Sequence, residues 1–154
     1  MKQLFLDFDG VFVHDGEVKL ECAEAIRRVL NHYRPKVFLI TFWQLFEDQS
    51  RIYQVLQQEF ALRGQDVIRT PSPILDIPLY DGKEYWDVDI ETRIAKKKSF
   101  AVNHHIKEWG LKVDEILILD DFNLNHPSQI ICDPKFEWIQ ELKKRWPMVK
   151  LCPK

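Results

Sequence analysis

Short apolar runs alternate along this chain with longer segments of helical period, and such alternation argues for β-α units around a mainly parallel sheet. The first run spans Gln3 to Phe8 and stops at Asp9-Gly10. Val37-Phe38-Leu39-Ile40 reads as a buried second strand closed by Thr41, and Ile116-Leu117-Ile118-Leu119 as a third that stops at Asp120-Asp121. Val67-Ile68 and Gln129-Ile130-Ile131-Cys132 are shorter candidates. Between the strands, Ala23, Ile26, Leu30 and Tyr33 fall on one helical face, which Pro35 ends. Leu45, Ile52, Leu56 and Phe60 share a second face that stops near Gly64. Val102, Ile106 and Trp109 mark a third helix closed by Gly110, and Phe136, Ile139 and Leu142 mark a last one before Pro147. The expected class is α/β, and 154 residues fit one domain spanning 1–154.

Two stretches depart from that rhythm. His14-Asp15-Gly16 lies between Val11-Phe12-Val13 and Val18-Lys19-Leu20, a turn signal that makes residues 11–20 a candidate hairpin. In residues 71–98, Pro71, Pro73, Pro78 and Gly82 punctuate apolar and aromatic residues, which reads as a long ordered loop or small insertion rather than a flexible linker. With 45% hydrophobic residues, 30% charged and a net charge of -2, the chain is not a disordered one. The same balance argues against a dedicated nucleic-acid binder and leaves nucleic acid only as a possible substrate. Cys22, Cys132 and Cys152 are odd in number and widely separated, so neither a disulfide framework nor a CxxC site is suggested, and a reducing cytoplasm is the expected compartment. No apolar run approaches the roughly 18 residues of a membrane span, and neither a signal peptide nor a membrane partner is expected.

The chemistry is concentrated where strands stop. Parallel strands present their carboxyl ends on one side of a sheet, where ligands of open α/β sheets bind. Asp7, Asp9, Thr41, Asp120 and Asp121 therefore converge on one small volume. Side chains alternate along a strand, so Phe8 enters the core while Asp7 and Asp9 approach the pocket, and Gly10 lets the chain turn sharply. Clustered carboxylates repel one another unless a hard cation neutralises them, and oxygen ligation by a few carboxylates suits Mg²⁺.

Leu4-Phe5-Leu6-Asp7-Phe8-Asp9-Gly10-Val11 resembles the first motif of the haloacid dehalogenase superfamily, an apolar strand ending in Asp-x-Asp-Gly-Val or Asp-x-Asp-Gly-Thr. Val37 to Thr41 resembles its second motif, and Ile116 to Asp121 its fourth. Lys98-Ser99-Phe100-Ala101 resembles the Lys-Gly-x-Ala opening of the third, with Lys97 the close alternative among Lys96-Lys97-Lys98. The resemblance spans nearly the whole chain and implies a Rossmann-like three-layer sandwich without a large cap domain, residues 11–20 forming the short flap. It implies a Mg²⁺-dependent phosphatase in which Asp7 is the nucleophile and Asp9 the general acid and base. Thr41 would then donate to the phosphoryl group and Lys98 offset its charge. The metal would be held by Asp7, Asp120, Asp121 and the Asp9 backbone carbonyl. The substrate class is a phosphate ester, small or macromolecular, since uncapped members tend to act on large substrates. Asp9 favours an oxygen leaving group, hence phosphatase over dehalogenase.

Two departures stand out. Phe122-Asn123-Leu124-Asn125 lacks the further Asp many members place after the fourth motif, and Trp43 is bulkier than the residues common after the second. His14, His104, His105 and His126 read as flap, helix-surface or turn residues rather than ligands. Competing readings are a catalytically silent binding module, a metal-dependent nuclease, and phosphotransfer to an acceptor other than water. A receiver domain would place its acidic pair after the first strand, the reverse of the order here.

Overall fold

A computed structural model of the chain describes residues 1–46, 49–70, 72–75 and 90–148. Five parallel strands form the central sheet: β1 (Gln3–Leu6), β4 (Lys36–Leu39), β5 (Val67–Arg69), β6 (Ile116–Asp120) and β7 (Gln129–Ile131). Their order across the sheet is β5-β4-β1-β6-β7, with β2 (Val13–His14) and β3 (Glu17–Val18) paired separately as an antiparallel hairpin. Helices cover both faces, so the chain is a Rossmann-like three-layer α/β sandwich, with no large cap among the described residues.

The pleat assigns each face. Leu4 and Leu6 of β1 point into the larger core, which is completed by α1 (Leu20–Tyr33), α3 (Gln49–Phe60) and α6 (Trp138–Arg145). Phe5 points the other way, stacks on Phe38 at 4.7 Å between ring centroids, and packs with Val102 of α5 (Ile90–Trp109). All four β1 residues are buried, as the continuous apolar run of a two-sided strand requires. Helix α1 buries Cys22, Ala23, Ala25, Ile26, Val29 and Leu30, then ends where Arg34 turns left-handed and its N–H reaches the Leu30 carbonyl. Pro35 follows and cannot continue the helix.

Several boundaries differ from the sequence expectation. The hairpin of residues 11–20 is shorter: Val11, Phe12 and Val13 all donate their amides to the Phe8 carbonyl, at 3.2, 3.2 and 3.1 Å, so the chain curls through Val11 and Phe12 before β2 starts at Val13. Leu20 already begins α1. The turn itself is as read, Asp15 and Gly16 both having positive φ, the conformation a two-residue hairpin demands. In the second helical stretch the described residues form α2 (Trp43–Phe46) and α3.

The largest correction concerns the described ends of the stretch 71–98, residues 71 and 76–89 lying outside the described residues. Ser72–Leu75 is a short helix, α4, and α5 begins at Ile90, so Lys96-Lys97-Lys98 lie within a helix rather than before one. The inward stripe of α5 runs through Lys98, Ala101, Val102 and His105, the spacing of one helical face. Because two of those four positions are a lysine and a histidine, a search for apolar period misses the first turns. Tyr80, Tyr85 and Trp86 of this stretch lie outside the described residues, as does Cys152.

Candidate active site at the carboxyl edge of the sheet

Strand register brings the sequence motifs to one level. Leu6 of β1 pairs with Leu39 of β4 on one side and Leu119 of β6 on the other. Asp7 and Asp120 each lie one residue beyond these pairs, and the Asp7 amide donates to the Leu119 carbonyl at 3.1 Å. The chain leaves β1 for β4 and β5 on one flank, then returns to place β6 on the other. The β1–β6 junction is thus the point where the winding reverses and a crevice opens.

Lys98 fills that crevice. Its Nζ donates to Asp7 Oδ2 at 2.7 Å and to Asp120 Oδ2 at 2.8 Å, and the side chain is only 2% exposed. Helical phase separates it from its neighbours: Lys96 is exposed and Lys97 half-buried. The rings of Phe42 and Phe122 lie 5.3 and 5.4 Å from its ammonium and help keep water out.

Asp121 completes an acidic trio. Oxygens of Asp7, Asp120 and Asp121 lie within 4.8 Å of one another, so the three carboxylates can hold a metal ion. One ammonium, Lys98, faces these three carboxylates. Gly10 is what admits Asp121: its φ is +80°, and a Cβ built there would overlap the Asp121 carboxylate. Asn123, where a further acid was absent, accepts the Asn125 amide at 2.9 Å and is committed to its own loop.

Burial pushes the Asp7 carboxyl up to about 7, with Lys98 opposing and Asp120 reinforcing the shift. Asp120 rises to about 6, again chiefly through burial and again opposed by Lys98. Asp121 is raised by burial and by the charge of Asp7. Burial alone would lower Lys98, but the charges of Asp7 and Asp120 outweigh it and hold the ammonium above its ordinary value.

Asp9 and Thr41 stand beside this group and are tied to each other through Trp43. The Trp43 indole Nε1–H donates to Asp9 Oδ2 at 2.7 Å, while the Trp43 backbone N–H donates to Thr41 Oγ1 at 3.2 Å. The Asp9 carboxylate is outside the metal-capable trio. Sequence reasoning placed Asp7, Asp9, Thr41, Lys98, Asp120 and Asp121 at this edge, but it read Trp43 only as bulk.

A further set was missed. Gln129 donates from Nε2 to the Asp120 and Phe122 carbonyls at 3.4 and 2.5 Å and accepts the Leu124 amide at 2.8 Å, pinning the loop after β6. Near the ends of β4 and β5, the Thr70 hydroxyl donates to the Leu39 carbonyl at 2.7 Å and meets His105 Nε2 at 3.0 Å. The hydroxyl has one proton, already given to Leu39, so His105 Nε2 is the donor in that contact. His105 is 3% exposed, not a helix-surface residue as expected, and burial, helped by His104, lowers it to about 4. Its place on the stripe of Lys98 was the available signal. His14, against the Val11 carbonyl, belongs to the β2–β3 hairpin, and His126, whose Nδ1 accepts the Ser128 amide, belongs to a turn.

Compared with protein-family models, curated proteins and solved structures, the chain finds no match. Cys22 and Cys132 are free and buried thiols. Among the described residues no helix is long and apolar enough to cross a membrane.

Proposed function

We propose that the chain is a Mg²⁺-dependent phosphomonoester hydrolase of the haloacid dehalogenase type, with Asp7 as the residue that takes up the phosphoryl group. The observation that carries this reading is the buried Lys98 ammonium bridging Asp7 and Asp120, with Asp121 alongside. A nucleophilic carboxylate, a fixed cation and two further carboxylates in one crevice are the parts that phosphoryl transfer through an aspartyl-phosphate requires. Lys98, which donates to Asp7 and Asp120, would offset charge on the phosphoryl oxygens. Mg²⁺ held by Asp7, Asp120 and Asp121 would add positive charge opposite those oxygens. Thr41 offers a hydroxyl for one of them, its oxygen meanwhile accepting from the Trp43 amide. Asp9 gives a proton to the leaving oxygen and later takes one from the attacking water. The substrate is a phosphate ester, small or macromolecular, and the free thiols fit a cytoplasmic enzyme.

Hydrolysis of p-nitrophenyl phosphate by the wild type and by Asp7→Asn, each with Mg²⁺ and with a chelator, tests the reading. Turnover is expected only in the wild type with Mg²⁺. Hydrolysis that persists in Asp7→Asn would overturn it, and DNA cleavage persisting there would point to a metal-dependent nuclease. Silence of the wild type in every condition would favour a binding module.

A further inference from the structure

A carboxylate that must give and take a proton in line with a leaving group needs a fixed rotamer, yet Asp9 is on an exposed turn beyond the end of β1. What reaches it is the indole of Trp43, at 2.7 Å between Nε1 and Oδ2. That indole is itself clamped. It is 7% exposed, meets Phe8 edge-on at 5.1 Å between centroids, carries the Arg51 guanidinium 4.8 Å from its ring, and its backbone amide is held by Thr41. A buried tryptophan generally finds a partner for its N–H. Here the partner is a carboxylate of the site itself, and Phe8, which braces the ring, lies between Asp7 and Asp9 in sequence.

We propose that Trp43 is a positioning residue for proton transfer by Asp9, holding Oδ2 so that Oδ1 is the oxygen that exchanges the proton; this rests on the phosphatase reading above. In the first half-reaction an Asp7 oxygen bonds to phosphorus as the bond from phosphorus to the leaving oxygen breaks. The leaving oxygen takes the proton from Asp9 Oδ1, which becomes anionic. In the second, Asp9 Oδ1 takes a proton from water as the water oxygen bonds to phosphorus. The Asp7–phosphorus bond then breaks, releasing phosphate and restoring both carboxyls. Loss of the indole N–H leaves Asp7, Lys98 and the acidic trio in place but frees the Asp9 rotamer.

The test uses leaving groups of different demand, because kcat/KM reports the steps up to release of the leaving group, and only a poor leaving group needs its proton there. Trp43→Phe is expected to lower kcat/KM for an alkyl phosphate about tenfold or more while p-nitrophenyl phosphate stays within about threefold. Added to Asp9→Asn it should cause no further loss. Equal losses on both substrates, or none on either, would overturn the proposal while leaving the phosphatase reading intact; a wild type without Mg²⁺-dependent turnover would remove both. Independently of activity, the Trp43 indole N–H resonance, assigned by its loss in Trp43→Phe, should move in Asp9→Ala. An unmoved resonance would also overturn the proposal.

Discussion

Burial opposes ionisation at Asp7, the proposed nucleophile, raising its pKa from 3.8 to about 7. The folded state therefore binds that proton more tightly than the unfolded chain does. Stability from this group is complete below the ordinary carboxylate value and is lost as pH rises through about 7. Replacing Asp7 by Asn removes the charge at nearly constant shape. Without divalent metal, Asp7→Asn is expected to be more stable than the wild type by about 1 to 3 kcal/mol at pH 8, the forfeited Lys98 pairing taking back part of the gain. The advantage should shrink as pH is lowered to 5. Urea unfolding of both proteins in chelator at the two pH values measures it, and an advantage that grew on acidification would contradict the assignment. The trend at His105 runs oppositely: lowered to about 4 by burial, it contributes stability above the ordinary imidazole value and loses it as pH falls toward 4. Comparing the two proteins cancels that contribution.

Elements set the aim of these groups. Helix α5 directs Lys98 into the crevice because its inward stripe continues to His105 and Val102, so the lysine is held by the same packing that holds the helix. Just beyond the carboxyl end of β7, α6 relies on Asp133. Glu137, at the N-cap, makes no side-chain cap bond, and Asp133 instead accepts the amides of Trp138 at 3.0 Å, Lys135 at 3.1 Å and Glu137 at 3.2 Å. Those amides have no helical carbonyl to bond, so the carboxylate satisfies donors that would otherwise be left open. Asp133→Ala is expected to lower stability by about 1 to 2 kcal/mol, seen as a reduced midpoint in thermal unfolding, while hydrolysis per folded molecule stays within about twofold. A large catalytic loss with an unchanged midpoint would give Asp133 a different role.

At the scale of the whole molecule, the sheet order brings ends of the chain's two halves together, since β1 and β6 are separated by more than a hundred residues yet pair along their length. A metal bridging Asp7 with Asp120 and Asp121 would bind this assembled junction and not the unfolded chain, so it should raise thermal stability by mass action. Millimolar Mg²⁺ is expected to raise the midpoint by a few degrees in the wild type and by much less in Asp120→Asn. An equal rise in both would locate Mg²⁺ binding elsewhere.

Local chemistry made much of this readable in one dimension. An apolar run stops where burial stops, so Asp7, Asp9, Thr41, Asp120 and Asp121 could be read as strand ends, and the alternation of runs and helical segments as an α/β fold. Arg34-Pro35 and Asp15-Gly16 mark breaks through backbone restrictions that act within a few residues. The tertiary structure alone decided what depends on pairing across distance. Lys98 rather than Lys97 faces Asp7 because helical phase is set by where α5 packs, and that stripe is too polar to announce itself as a core face. His105 is buried for the same reason. Trp43 meets Asp9 only because β4 lies beside β1, an adjacency fixed by hydrogen bonding between strands and by no residue near either one in the chain.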